Sequence, residues 1–129
     1  MKCKAEKSKK GLKFEELAKE SAKLLASHLK ARIDLHTTDF SATFNGKSET
    51  LIPAFNVPVL RVTSAGDAWN AGNILGTVHG MPDNVRLTLV NAVAAYYILN
   101  LGGKHPTRKA LIKFCDKLKG LWKTKTDKN

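Results

Sequence analysis

Val59-Leu60-Arg61-Val62-Thr63-Ser64-Ala65-Gly66-Asp67-Ala68-Trp69-Asn70-Ala71-Gly72 carries more information than any other stretch of this 129-residue chain. A β-branched run leads into three small residues, and an aspartate then opens an apolar segment. A turn of this kind brings bare backbone N–H groups to the start of a helix, where unpaired donors and the helix dipole attract anions. An aspartate placed there can take the proton from a hydroxyl that attacks a bound phosphate. The same residues admit a second reading, an N-cap aspartate after a tight turn. Small side chains at 64–66 let the backbone approach a ligand, and Gly66 is the residue expected to permit unusual dihedrals.

Downstream, Ala68, Ala71, Ile74, Leu75 and Val78 form a helical stripe that ends at Gly80. Gly72 and Gly76 lower its propensity but allow close packing against a sheet or another helix. Pro82 and Asp83 open a helix predicted over 85–101, apolar nearly all round and therefore buried on most faces. So short a chain has little else to cover it, which points to something larger. Gly102-Gly103 stop this helix, and Pro106-Thr107 begin another that runs to about Leu121.

Upstream, residues 13–30 carry apolar positions at helical spacing with charges between them. Residues 31–35 and 40–44 are strand candidates, and Asn45-Gly46 signals a hairpin turn. Residues 51–62 are extended but interrupted by Pro53 and Pro58. Helix, strands and three helices in that order predict a small domain of a few short strands packed by helices.

The length suits one domain with one core, divided into a basic, disordered tail at 1–11, a folded part at 12–122 and a basic tail at 123–129. Hydrophobic content of 43% and charged content of 26% are ordinary for a globular protein. No apolar run is long enough to span a membrane, and no h-region follows the basic N-terminus. Cys3 and Cys115 read as free thiols in a reducing compartment, which places the chain in the cytoplasm. The net charge of +11 invites a nucleic-acid partner, but much of it sits in lysines at the two ends, including those from 117 onward, which read as a solvated face and tail. His28, His36, His79 and His105 show no i,i+4 pair, so no metal site is expected. Trp69, Tyr96 and Tyr97 read as core or inter-helix contacts.

The chain resembles the ribokinase-like (PfkB) carbohydrate kinases from roughly Ala31 to Phe114. Arg61 to Asp67 falls on the family's D-T-x-G-A-G-D motif, and Ala68-Trp69-Asn70-Ala71-Gly72 looks like its A-F-x-A-G. Ile33 to Ala42 lies where the family has a strand and then T-x-G-x-x-G-A, and Asn91-Ala92-Val93-Ala94-Ala95 looks like its N-A-x-A-A helix. Gly102 and Pro106-Thr107 match its last loop and helix. The resemblance implies an α/β fold, specifically the C-terminal portion of a ribokinase-like fold. It implies ATP or another nucleotide as phosphoryl donor, Mg2+ as cofactor, and a sugar or nucleoside hydroxyl as acceptor. It also maps Asp67 to the catalytic base, and Ser64, Ala65 and Gly66 to an anion hole. His36, Thr38 and Ser41 fall in the loop that follows nucleotide phosphates and ribose, and Asn91 near the adenine.

Four departures from the family pattern stand out. Arg61 replaces an acid that helps bind a monovalent cation in potassium-activated members; fixed positive charge and a salt-bridged structural arginine are both open readings. Ser64 replaces a glycine or alanine. Thr38 and Ser41 replace two glycines and restrict positive φ, so the nucleotide loop is expected to take a different shape. Family members run more than twice this length, so the chain reads as the C-terminal half alone, paired with a complementary N-terminal half or with itself. Three functions follow as alternatives: a sugar or nucleoside kinase half, a non-catalytic truncated binding module, and a small basic nucleic-acid binder.

Overall fold

The structure is a computed structural model that describes residues 14–46 and 48–124. The tails assigned to 1–11 and, apart from Lys123 and Thr124, to 123–129 lie outside the described residues, as does Cys3. The chain divides into two compact units, one of residues 1–35 and 42–50, the other of residues 36–41 and 51–129.

In the first unit, α1 (Phe14–Leu29) carries Glu15 and Glu16 in its first turn and His28 in its last, each at the helix end whose partial charge it complements. Its small buried residues are Ala22 and Ala26. Lys30 ends it in the left-handed region at φ 49°. Lys19 and Lys23 reach Glu49 at 3.7 and 3.0 Å, partly exposed pairs that contribute little individually. Thr43 Oγ1 donates to Asp34 Oδ1 at 2.8 Å.

Three strands, β1 (Ile33–His36), β2 (Phe40–Asn45) and β3 (Ser48–Pro53), form one sheet in that spatial order. Each begins in one unit and finishes in the other. All of β2 except Asn45 is buried, where the sequence shows only loose alternation. Gly46 takes the left-handed φ of 59° that the expected hairpin turn requires. Pro53 closes β3, a position that costs the ladder nothing further along.

The second unit is helical. α2 (Ala65–Val78), α3 (Asp83–Ile98) and α4 (Arg108–Leu118) lie close to the predicted spans, with α3 three residues shorter than expected at its end. α2 ends with Gly80 at φ 63°, while the N–H of Met81 returns to the Gly76 carbonyl at 3.0 Å. That left-handed residue satisfies a carbonyl the helix would otherwise leave open. Thr107 caps α4 by accepting from the Ala110 N–H.

α3 is the central helix. Leu87 and Val90 pack with Trp69, Val93 and Tyr97 with Ala68, and Ala92 and Ala95 with Phe55 and Leu118. Full burial of a leucine, valine or phenylalanine of this set stabilises by roughly 2 kcal/mol. The chain covers much of this helix with its own α2, α4 and the segment around Phe55. Uncovered apolar residues include Val85 on α3, Val59, Leu60 and Val62 before α2, and Ile74, Leu75 and Val78 on α2.

α2 and α3 approach closely because glycines face α3. A Cβ on Gly72 would sit 3.2 Å from Val90 Cγ1 and 3.3 Å from its Cα. A Cβ on Gly76 would sit 2.7 Å from Arg86 Cγ. Arg86 is 1% exposed and anchored at its far end by Asn73 Oδ1 and by Asp83 Oδ1 at 3.0 Å, so it has little room to retreat. Gly76→Ala gains about 1 kcal/mol of helix propensity but overpacks at a cost of about 1–3 kcal/mol. A net loss of about 1 kcal/mol is expected in urea denaturation, and a stabilised variant would show that Arg86 yields.

No described helix is long and apolar enough to cross a membrane.

Candidate functional site

Residues 59–63 are irregular, and the chain turns at Ser64 into α2. Ser64 is the N-cap, at φ 65° and ψ 17°, and its side chain makes no capping bond. The unusual dihedral expected at Gly66 thus sits two residues earlier: Gly66 has no positive φ and lies inside the helix. Its lack of a side chain serves proximity, since a Cβ there would meet His36 Cε1 at 3.4 Å. An L-residue in the left-handed region costs roughly 1–2 kcal/mol. Ser64→Gly removes that strain, loses no cap bond, and is expected to stabilise the chain by about 1 kcal/mol after glycine's entropy cost. A rise in the urea midpoint at constant slope would show it.

In the first turn of α2, the Ala65 N–H donates to the Val62 carbonyl at 3.1 Å and the Ala68 N–H to the Ser64 carbonyl at 3.1 Å. The N–H groups of Gly66 and Asp67 have no partner among the described residues. The candidate anion hole at Ser64, Ala65 and Gly66 is thereby shifted along the chain. Ser64 supplies the bend, the Ala65 donor is spent, and the open donors belong to Gly66 and Asp67. Asp67 is the third helical residue and is exposed. Its carboxylate forms no hydrogen bond or ion pair with a described residue, so it is not the N-cap that the second reading required.

Beside this turn is a cavity of about 440 Å³, lined in part by Ala65, Gly66, His36, Thr38 and Asn91. Ser64, Asp67 and Ser41 are not on its wall. Most of the remaining wall is apolar (Phe55, Val57, Val59, Trp69, Ala94 and Ile98), with Arg61 and Lys123 adding positive charge. The size and mixed lining suit a small organic ligand.

His36 stacks on Trp69 with ring centroids 4.7 Å apart and planes at 24°. Burial against these groups lowers its pKa from the usual histidine value, because desolvation disfavours the imidazolium. Trp69 Nε1 donates to Ser41 Oγ at 2.8 Å, and Ser41 Oγ donates to Asn91 Oδ1 at 2.5 Å. Asn91 Nδ2 donates to the Pro53 carbonyl at 3.0 Å. Ser41 and Asn91 are 1% and 5% exposed. The structure brings these sequence-predicted residues together, but as a buried network in which each polar group has a partner within the protein.

The 37–40 turn is closed on itself. Thr37 Oγ1 accepts from the Asp39 and Phe40 N–H groups, each at 3.1 Å, and the Thr37 N–H donates to the Phe40 carbonyl at 2.9 Å. No residue from 36 to 41 has positive φ, as the replacement of glycine by Thr38 and Ser41 implied. Arg61 is held by the Tyr97 hydroxyl at 2.9 Å from Nε and lies over the Tyr97 ring. It makes no ion pair among the described residues, so the salt-bridged reading gives way to one based on a phenol and a carbonyl.

The sequence reading missed Lys123 and the Phe55–Val57 wall. Lys123, assigned to the tail, is only 19% exposed in its side chain and pairs with Asp39 at 3.6 Å. The available signal was Trp122 beside it, which stacks on Phe55 with centroids 4.2 Å apart. No group of three His, Cys, Asp or Glu residues that could hold a metal comes together among the described residues.

No family model and no curated protein matches the sequence. Several solved structures are similar in fold. Arabidopsis thaliana ribokinase, complexed with ribose and ATP, is 20% identical with a TM-score of 0.66, over 79% of this chain and 34% of its own. Thermotoga maritima ribokinase is 21% identical with a TM-score of 0.63, over 81% and 35%. Burkholderia thailandensis nucleoside kinase, in complex with inosine, is 22% identical with a TM-score of 0.56, over 89% and 37%. The chain therefore has a ribokinase-like α/β fold, and it spans about a third of the length of each of these kinases.

Proposed function

We propose that this chain is the nucleotide-side portion of a ribokinase-like phosphotransferase, with Asp67 as the base. The observation that carries the reading is the first turn of α2, where an unpartnered carboxylate on Asp67 follows two open backbone donors, with Gly66 on the wall of the cavity. ATP in that cavity would direct its terminal phosphoryl group toward the N–H groups of Gly66 and Asp67. Asp67 takes the acceptor hydroxyl proton, the oxygen bonds to the γ-phosphorus, and the bond to the β-γ bridging oxygen breaks to release ADP. The two amides stabilise charge on the phosphoryl oxygens as it spreads. Positioning and electrostatics dominate such transfers. A sugar or nucleoside acceptor is supported by the solved neighbours, one complexed with ribose and one with inosine. Because the chain spans a third of those kinases, the remaining segment would supply acceptor contacts.

Calorimetry of the chain with ATP tests the nucleotide half of the reading, with saturable binding expected. Transfer to ribose or inosine tests the other half, assayed with the chain alone and together with a completing segment. Absence of ATP binding would sink the proposal.

One observation favours the non-catalytic alternative. The 37–40 turn has spent its Thr37, Asp39 and Phe40 amides internally and has none of these to offer a phosphate. A binding module of that kind would take up ATP and transfer its phosphoryl group to no acceptor.

A further inference from the structure

Resting on the nucleotide reading above, we propose that Lys123 binds the phosphate tail of a nucleotide in the 440 Å³ cavity, supplying the charge that the closed 37–40 turn no longer offers.

The segment that carries Lys123 is fixed at several points. The Asn56 N–H donates to the Leu121 carbonyl, and the Lys123 N–H donates to the Ala54 carbonyl at 2.7 Å. Trp122 stacks on Phe55, which also lines the cavity. The backbone of Lys123 is therefore held alongside 54–56, and its side chain lies on the cavity wall.

The ammonium group has three donors. One goes to the Thr38 carbonyl at 2.8 Å. The Asp39 carboxylate is 3.6 Å away, beyond hydrogen-bonding distance, so the pair attracts without a close bond. Donor capacity is left for an incoming anion. A phosphate carries more charge than Asp39 and three acceptor oxygens, so it competes well for this group.

Of the other basic groups on the wall, Arg61 spends two of its five N–H donors on the Tyr97 hydroxyl and, at 3.4 Å, on the Leu101 carbonyl. His36 is stacked on Trp69, and burial lowers its pKa. Asp39 sets the strength of the lysine site, since its carboxylate holds the ammonium in the empty cavity and repels an arriving phosphate.

The test is calorimetry on the full chain with ATP, ADP and adenosine as separate probes. The wild type is expected to bind ATP more tightly than adenosine. Lys123→Ala should weaken ATP about tenfold, the loss of one charge-assisted hydrogen bond, and leave adenosine unchanged. Lys123→Arg should restore most of the difference, and Asp39→Asn should tighten ATP by about threefold by removing a competing charge. A structural role for Lys123 would weaken ATP and adenosine alike, and that result overturns the proposal. Equal affinity of the wild type for ATP and adenosine overturns it too, while leaving a nucleoside-binding cavity in place. Binding of none of the three probes removes this assignment together with the function proposed above.

Discussion

Asp67→Asn is expected to lower phosphoryl transfer by about a thousandfold, the usual worth of a positioned general base, and to change ATP affinity by less than about twofold. The substitution keeps the shape of the side chain and removes its ability to accept a proton. Asp67 is exposed, lacks a hydrogen bond or ion pair among the described residues, and lies in the first turn of α2. Stability should therefore move by no more than about 0.5 kcal/mol, so lost turnover could not be ascribed to unfolding. The Gly66 and Asp67 amides belong to the backbone and survive the change, which is why affinity should hold. Transfer assays on the chain with its completing segment, run beside a denaturation curve, provide the check. Undiminished turnover would remove Asp67 from the chemistry.

Asn91→Ala is expected to cost about 3 kcal/mol of stability, the largest loss foreseen for a polar side chain here. Asn91 sits 5% exposed on the central helix and joins three elements through one amide. Its Oδ1 accepts from Ser41 at the start of β2, and its Nδ2 donates to the Pro53 carbonyl at the end of β3. Truncation leaves the Ser41 hydroxyl one partner short and the Pro53 carbonyl without its donor, and each orphaned group costs about 1–3 kcal/mol. The Trp69 indole keeps its bond to Ser41, so the damage should stop there. Urea denaturation of the purified variant reads this directly. Unchanged stability with weakened ATP binding would instead restore Asn91 as a ligand contact, the role its resemblance implied.

Much of the fold was legible because its signals are local. The stripe from Ala68 to Val78, the stop at Gly80, the turn at Asn45-Gly46 and the opening of α4 at Thr107 each follow from side chains within a few residues of one another. The roles of Gly72 and Gly76 were foreseen in kind, since missing side chains in a helix permit close approach. Their partner, Arg86, was not foreseen: a buried arginine depends on Asn73 from the neighbouring helix as well as on Asp83 one turn away on its own.

The site was half legible. Small residues before Asp67 marked a helix start, but the left-handed residue proved to be Ser64, because backbone geometry at a helix entry depends on where the preceding segment arrives. Ser41 and Asn91 meet in one hydrogen-bonded network, and those bonds turn inward, which residue type cannot reveal. Lys123 reads as one of many terminal lysines until its backbone is seen paired with Ala54.

By itself the sequence determined the order of the helices, their approximate spans and the small-residue entry to α2, since periodicity and turn chemistry act over a few residues. Only tertiary structure decided which donors remain open, which polar groups are spent on one another, and which lysine faces the cavity. Those outcomes depend on contacts between residues up to 85 apart, as between Lys123 and Thr38, and on desolvation that exists only once the chain has packed.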